Sequence, residues 1–460
     1  MNHEKNRRWL ILATVLIGTV SGTLGNSMAN VALPDVMDHF QVDISRAAWM
    51  VTIYILFFAV PLPIVGRLGD MYGYKRIYTA SMSVFVLASL GASLAPTFPA
   101  LIVLRALQGL ANAPTLPSVM AIVTNVFPTE ERGRAMGVWA LANSASHAIG
   151  PPLSGFLTQY FGWSSIFYVN VALSLAGVFL VWRLVPQDEQ RGGDSFDYVG
   201  ALTLTLATLA LMFNLTQGPK MGWTSPLSLS LWAVFALLIG GFLLVERTVQ
   251  SPFVELSLFG NRPYTAATAV VSLQLFCQFG LALIMPLFLM RIQGYTSGQA
   301  GLLVFPLPIT MALVAPLAGR LADSIGCRKT CLTGMGLVAL AGLALLPLGP
   351  GTAWWYVVAV LALMGVGMGM IQSPTAAAVT QVVNQGRLGL ALGLFNMFRF
   401  IGGTLGATIF GLVLGAFSER WGLVSASRLN FGLVVVLALV AFLTALSVPD
   451  RPKLETLSNP

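Results

Sequence analysis

Of 460 residues, 56% are hydrophobic and only 9% charged, with a mean hydropathy of +0.79. A soluble domain carries about 25% charged residues, so this chain lacks the means to cover itself with a water-exposed surface, and an integral membrane protein is expected. The formal net charge of +8 does not point to a nucleic-acid partner, because of where the charges lie.

A spanning helix needs about 20 mostly apolar residues. Fourteen such runs are predicted, at 10–32, 45–65, 77–95, 100–123, 134–157, 163–183, 198–216, 227–245, 264–290, 299–317, 329–348, 354–376, 390–414 and 430–448. In lipid the backbone must satisfy its own hydrogen bonds, so the runs are expected to be helices. Their many Gly, Ala, Ser and Thr residues allow close helix packing. If the runs alternate across a bilayer, most of the Lys and Arg residues fall on one side, among them Lys5, Arg7, Arg8, Arg67, Lys75, Arg76, Arg132 and Arg134. Arg46, Lys220, Arg291, Arg420 and Arg428 fall on the other. Basic residues accumulate on cytoplasmic loops, so both termini are expected to be cytoplasmic. The clearest linker is 186–197, with QDEQRGGD at its centre; a second, 246–263, leads into the last part of the chain.

Gly66–Arg76 reads GRLGDMYGYKR, and 319–329 reads GRLADSIGCRK. Aligned without a gap, they share Gly66/Gly319, Arg67/Arg320, Leu68/Leu321, Asp70/Asp323 and Gly73/Gly326, and Lys75-Arg76 is answered by Arg328-Lys329. A repeated basic, glycine-rich connection between apolar runs marks two related halves. The loop resembles the signature of the major facilitator superfamily, G-x-L-a-D-r-x-G-r-[K/R]. Matching the loops places six helices in each half, with two more, at about 198–245, between them. This plan resembles the fourteen-helix drug:proton antiporters. The fold class implied is an all-α integral membrane protein with the major facilitator fold: a six-helix bundle over 1–186, a linker and two extra helices over 187–262, and a six-helix bundle over 263–460.

The resemblance implies a conformational latch at Gly66, Asp70, Gly73, Lys75 and Arg76, with Asp323 and Arg328 as the weaker counterpart. Asp70 can favour a neighbouring helix N-terminus, where the macrodipole welcomes an anion. The segment 24–34, LGNSMANVALP, matches the family's L-D-x-T-I-V-N-V-A-L-P at Asn30 through Pro34, and Gly25 stands where relatives often have aspartate. A signal-peptide reading of the basic start yields to this match, since the family's first helix is uncleaved. Asn26 and Asn30, four residues apart, offer one polar stripe to the presumed cavity.

LRALQGLANA at 104–113 resembles the family's fourth-helix motif, in which the arginine is linked to proton transfer; Arg105 inherits that role, or else hydrogen-bonds carbonyls structurally. Gln108 and Asn112 share its face. Gly150, Pro151 and Gly155 match the fifth-helix hinge pattern, with Ser146 and Ser154 replacing glycines. Asn143 and His147 share a face there, and His147 is the histidine within a predicted span. Its ordinary pKa of about 6.5 would let it carry protons in place of a missing carboxylate, or it is a hydrogen-bonding polar residue.

In the second half Gln274 and Gln278 lie one turn apart among Phe276 and Phe279, which suit packing or a cavity wall, and Gln372 precedes Pro374. Asn396 and Arg399 belong to a stretch resembling the family's N-x-x-R-x-x-G-G, which makes both cavity candidates. All 17 Asp and Glu residues fall in loops or at helix ends. A charge inside the bilayer normally faces a cavity or a partner. Arg105, Arg399 and His147 at depth, with no carboxylate, point to neutral or anionic amphiphiles as substrate.

The function expected is secondary active export of small amphiphilic compounds across a bacterial inner membrane by alternating access, with protons as the coupled ion and a monomer as the working unit. The alternative is a flippase or exporter of a lipid-like or anionic metabolite. No catalytic residue, cofactor or metal is expected. There is no G-x-x-x-x-G-K-[S/T] loop for ATP. Cys277, Cys327 and Cys331 have no nearby histidines to complete a set of about four zinc ligands. An intramembrane enzyme would need clustered His, Asp or Glu at depth, and a receptor or scaffold would not need both signature loops.

Overall fold

The computed structural model describes residues 2–187, 196–249 and 252–450. The core of the first linker and the terminal Arg451, Lys453 and Glu455 lie outside the described residues. Every one of the fourteen apolar runs is helical, and among the described residues there is no strand. Three runs are each divided at a proline. The break between Trp49–Ala59 and Leu62–Tyr72 falls at Pro61, that between Phe98–Asn112 and Thr115–Val126 at Pro114, and that between Ser297–Val304 and Pro306–Ile325 at Pro306. Proline lacks the N–H that would continue the ladder, and its ring crowds the carbonyl four residues back. The first of these pairs bends by 45°.

Two runs are joined in Leu388–Ala445, 58 residues long, where Gly422 leaves helical geometry at φ 77° and ψ 158°. A bilayer is crossed by about 20 helical residues, so this element is two helices meeting at a glycine that tolerates positive φ. Among the described residues, nine helices are long and apolar enough to cross a membrane, or ten when the bent pair at Pro61 is one span. Large apolar side chains such as Leu87, Val103, Leu237 and Leu302 stay exposed. Large apolar side chains exposed in such number need a lipid or protein cover.

Two compact units emerge. One comprises Met1–Val123, Ala142–Leu256 and Gln385–Thr404, and the other Thr124–Leu141, Ser257–Asn384 and Leu405–Pro460. In the first, Asn2–Val31 packs on Ser165–Leu184, and Trp49–Ala59 on Phe98–Asn112. The two extra helices, Tyr198–Met221 and Pro226–Glu246, pack against each other. Asn214 and Ser228 clasp them at one end: Nδ2 donates to the Ser228 carbonyl at 3.1 Å, and the Ser228 hydroxyl donates to Oδ1 at 2.8 Å. Trp49 and Phe213, 5.7 Å apart between ring centroids, and the Thr208 hydroxyl donating to Met397 Sδ at 3.5 Å, hold the pair to its unit. Pro226–Glu246 leaves most of its apolar side chains exposed, Leu237 and Leu244 among them, as a helix that faces lipid would. In the second unit Pro306–Ile325, Cys327–Leu345 and Trp354–Val382 pack together. The three cysteines are free and buried.

Candidate transport site and signature loops

Each signature-loop acid sits at the start of a helix. Asp70 Oδ1 accepts the Gly389 N–H at 2.8 Å and Oδ2 the Leu390 N–H at 2.9 Å, and Tyr74 also donates its hydroxyl to this carboxylate. Asp323 Oδ1 accepts the Gly133 N–H at 2.8 Å and Oδ2 the Arg134 N–H at 2.7 Å. Both carboxylates thus cover N–H groups that the first turn of a helix leaves without partners, where the dipole also favours negative charge. Asp323, expected as the weaker counterpart, makes the same two bonds; the difference is that Asp70 is buried and has a third donor in Tyr74.

Glycines bring these elements together. A Cβ on Gly389 would strike the Gly66 carbonyl and one on Gly393 the Leu62 carbonyl; one on Gly133 would strike the Gly319 carbonyl, and one on Gly137 would come within 2.7 Å of the Ala315 carbonyl. The helices approach backbone to backbone, as G-x-x-x-G permits. The sequence signal for these receiving glycines is the pair GRAMG and GLALG, each placed just after a short 3-10 turn. Lys75 and Arg328 of the loops bond to other helix ends. Lys75 Nζ donates to the carbonyls of Trp182 at 3.0 Å and Val185 at 2.5 Å, and Arg328 Nε donates to the Val448 carbonyl at 2.8 Å.

Arg105 is completely buried and ends in neutral partners. Nε donates to the Met50 carbonyl at 2.8 Å, and the two terminal nitrogens donate to Gln108 Oε1 at 3.0 Å and Asn26 Oδ1 at 3.3 Å. The guanidinium lies 4.4 Å from the Tyr54 ring centroid, within cation–π range. Gln108 Nε2 donates to the Ser89 hydroxyl at 2.7 Å; Asn112 Nδ2 donates to Tyr54 Oη at 2.9 Å, and that hydroxyl donates to the Gly22 carbonyl at 3.1 Å. The predicted face of Arg105, Gln108 and Asn112 is therefore a closed network across four helices. Asn30 is exposed and turns its amide to the Asn26 carbonyl at 3.3 Å.

A second polar group lies in the same unit. His147 is exposed, midway along Arg132–Phe161. Arg399 donates to Asn396 Oδ1 at 3.5 Å and has Phe400 beside it, 5.7 Å from the guanidinium carbon, while Phe58 meets Phe400 edge-on at 5.4 Å. Asn396 donates to the Leu392 carbonyl at 2.8 Å. The His147 helix, Arg132–Phe161, lies along Asn2–Val31: Asn143 Oδ1 accepts from Thr23 at 2.9 Å, the His147 carbonyl from Ser27 at 3.0 Å, and the Met28 carbonyl from Ser154 at 2.8 Å. Gly150 abuts Ser27, whereas Gly155 has open space around it; Pro151 lies inside an unbroken helix. In the other unit Gln274 Nε2 donates to Gln278 Oε1 at 2.8 Å, and Gln372 is buried within Trp354–Val382. Phe276 is packed edge-on against Phe410 at 6.0 Å and is buried, which decides for packing. Among the described residues no cluster of His, Cys, Asp or Glu is placed to hold a metal ion.

The description of the Major Facilitator Superfamily matches residues 15–407 and 267–460. Multidrug resistance protein Stp of Mycobacterium tuberculosis is 33% identical over 390 residues, 85% of this chain and 72% of that protein. The methylenomycin A resistance protein of Streptomyces coelicolor is 29% identical over 446 residues, 96% of this chain and 93% of that protein. Among solved structures, the human organic anion transporter MFSD10 superposes with a TM-score of 0.71 at 15% identity, covering 95% of this chain and 99% of that one. The proton:xylose symporter XylE superposes at 0.67 and 12% identity, covering 96% and 95%. At these identities the two structures speak for the fold alone.

Proposed function

Because the chain belongs to the Major Facilitator Superfamily, a family of multi-pass membrane transporters, we propose that it is a secondary active exporter of small neutral or anionic amphiphiles, working by alternating access with fourteen spans, and with protons as the coupled ion. Export is supported by the relatives named for drug resistance. The observation that carries the substrate class is the buried Arg399 beside Phe400, with Phe58 edge-on to that ring, and with every carboxylate among the described residues in loops or near helix ends. An anionic or dipolar head suits the cation, and an apolar body suits the rings.

In this reading His147 is the residue that exchanges protons, because it is the exposed titratable group at depth, and Arg105 organises its helices around a fixed charge. Asp70 and Asp323 hold helix starts that must be released as the carrier changes state. Gly150, Pro151 and Gly155 serve as the hinge, and the carrier acts as a monomer in the cytoplasmic membrane. The basic, aromatic surroundings of Arg399 also favour a second reading, a flippase for a lipid-like anionic metabolite.

The test is thermal stability of the purified protein against cationic, neutral and anionic amphiphiles at two pH values. A ligand that binds only the folded state stabilises it by about 2.7 kcal/mol at a hundredfold excess over Kd. Stabilisation by anions or neutral compounds, lost in Arg399→Ala, is expected. Stabilisation by cations alone refutes the substrate class and returns the chain to ordinary cationic-drug antiport.

A further inference from the structure

The first unit contains a cavity of about 870 Å³ whose walls include Tyr72, Thr79, Ser83 and Trp182 together with Lys75 and Arg76 of the signature loop. It lies where Tyr74–Ser93 packs beside Ser165–Leu184, at the ends of these helices where the basic residues gather. Lys75 reaches across to the last carbonyls of the second helix, which fixes an ammonium at the mouth. Arg76 is exposed beside it, and the Arg183 guanidinium lies 5.5 Å from the Trp182 ring centroid. No Asp or Glu is among the described residues that line the cavity.

The mouth continues into two apolar stripes. Ala80, Val84 and Leu87 follow Arg76 along one helix face, and Phe179 and Leu175 follow Trp182 along the other, by the three- and four-residue spacing that stacks side chains. Val84, Leu87, Phe179 and Leu175 are all exposed. Tyr72 and Trp182, 51% and 61% exposed, are amphipathic rings of the kind that settle at a membrane interface. Thr79 and Ser83 donate their hydroxyl hydrogens to the carbonyls of Lys75 and Thr79 at 2.8 and 2.9 Å, which leaves their oxygens as acceptors facing the cavity. Cations for a phosphate, acceptors for headgroup hydroxyls and apolar tracks for acyl chains occur together in that order.

We propose that this groove is a binding site for an anionic phospholipid with a hydroxylated headgroup, of the phosphatidylglycerol type. Basic pockets between helices on the cytoplasmic side of a membrane attract such headgroups. The assignment is independent of the transported substrate.

Native mass spectrometry of the whole protein, offered dioleoyl-phosphatidylglycerol and dioleoyl-phosphatidylcholine in equal amounts, tests it. Retention of phosphatidylglycerol over phosphatidylcholine is expected, falling about fivefold in Arg76→Gln and again in Lys75→Gln/Arg76→Gln. A second readout needs no charge variant to fold: brominated phosphatidylglycerol should quench wild-type fluorescence more than Trp182→Phe fluorescence, and brominated phosphatidylcholine should not. Equal retention of the two lipids, an unchanged preference in folded Arg76→Gln, or displacement of the lipid by inorganic phosphate alone would overturn the proposal, the last by making this a free-anion site.

Discussion

Asn170 lies against Gly25, buried, and neither Oδ1 nor Nδ2 of its amide has a hydrogen-bond partner. A Cβ at Gly25 would collide with that amide. Gly25→Ala is therefore expected to destabilise the protein by roughly 1–3 kcal/mol, the usual penalty for overpacking. Asn170→Ala in the same chain should restore much of the loss. Equal melting temperatures for Gly25→Ala and wild type would show that Asn170 moves aside freely.

The same position tests substrate charge. Gly25→Asp would set a carboxylate beside Asn170 Nδ2, an available donor, and give the first helix the acid that it lacks at depth. Transport should shift towards cations. Strong cation export by the wild type, unchanged by the substitution, would contradict the basic-site reading.

Asp70 and Asp323 make matching pairs of bonds, so neither should be dispensable. Asp70→Ala and Asp323→Ala each leave two helix N–H groups without their acceptor and should slow transport, with a stability loss of roughly 1–3 kcal/mol per site. Asp→Asn keeps one acceptor oxygen and should be milder at both. Transport rates that fall for Asp70→Ala alone would restore Asp323 to the subordinate place expected for it.

Gly389→Ala and Gly133→Ala would drive a methyl group into the carbonyls of Gly66 and Gly319. These carbonyls cannot turn away, and at Gly133 the methyl group would also meet the Asp323 carboxylate, so a cost of roughly 1–3 kcal/mol is expected, against little for Ala at Gly155, which has nothing nearby. Differential scanning fluorimetry of the three variants makes the comparison directly.

Arg105 separates structure from coupling. Removing its guanidinium leaves the Met50 carbonyl and Gln108 Oε1 buried and short of a donor, and Arg105→Lys cannot reproduce three bonds in a planar fork. Both variants should melt earlier than wild type. Arg105→Ala that is folded, expressed and fully transporting would remove any role in proton coupling; His147→Asn would then carry that test.

The helical runs are legible in the sequence because lipid leaves the backbone no alternative to internal hydrogen bonds. The repeated loop is legible because its acids, glycines and cations recur in register. What Asp70 and Asp323 bind is harder to read, since the acceptor contacts are backbone N–H groups at Gly389, Leu390, Gly133 and Arg134, and any residue type supplies an N–H. The same holds for Arg105, whose shortest bond goes to the Met50 carbonyl. The small-residue pairs Gly133/Gly137 and Gly389/Gly393 are visible as a pattern, but only the packed helices reveal that Gly319 and Gly66 meet them.

The absence of acids at depth also has an electrical consequence. Arg105 and Arg399 are buried on apolar helices, and among the described residues no carboxylate is bonded to either. Moving one elementary charge across a membrane is worth about 2.3 kcal/mol per 100 mV. A step that shifted one of these arginines through a third of the field would change its equilibrium by roughly fourfold per 100 mV. Voltage across the membrane would then act on the empty carrier directly, as a bias on its resting state before any substrate or proton is bound.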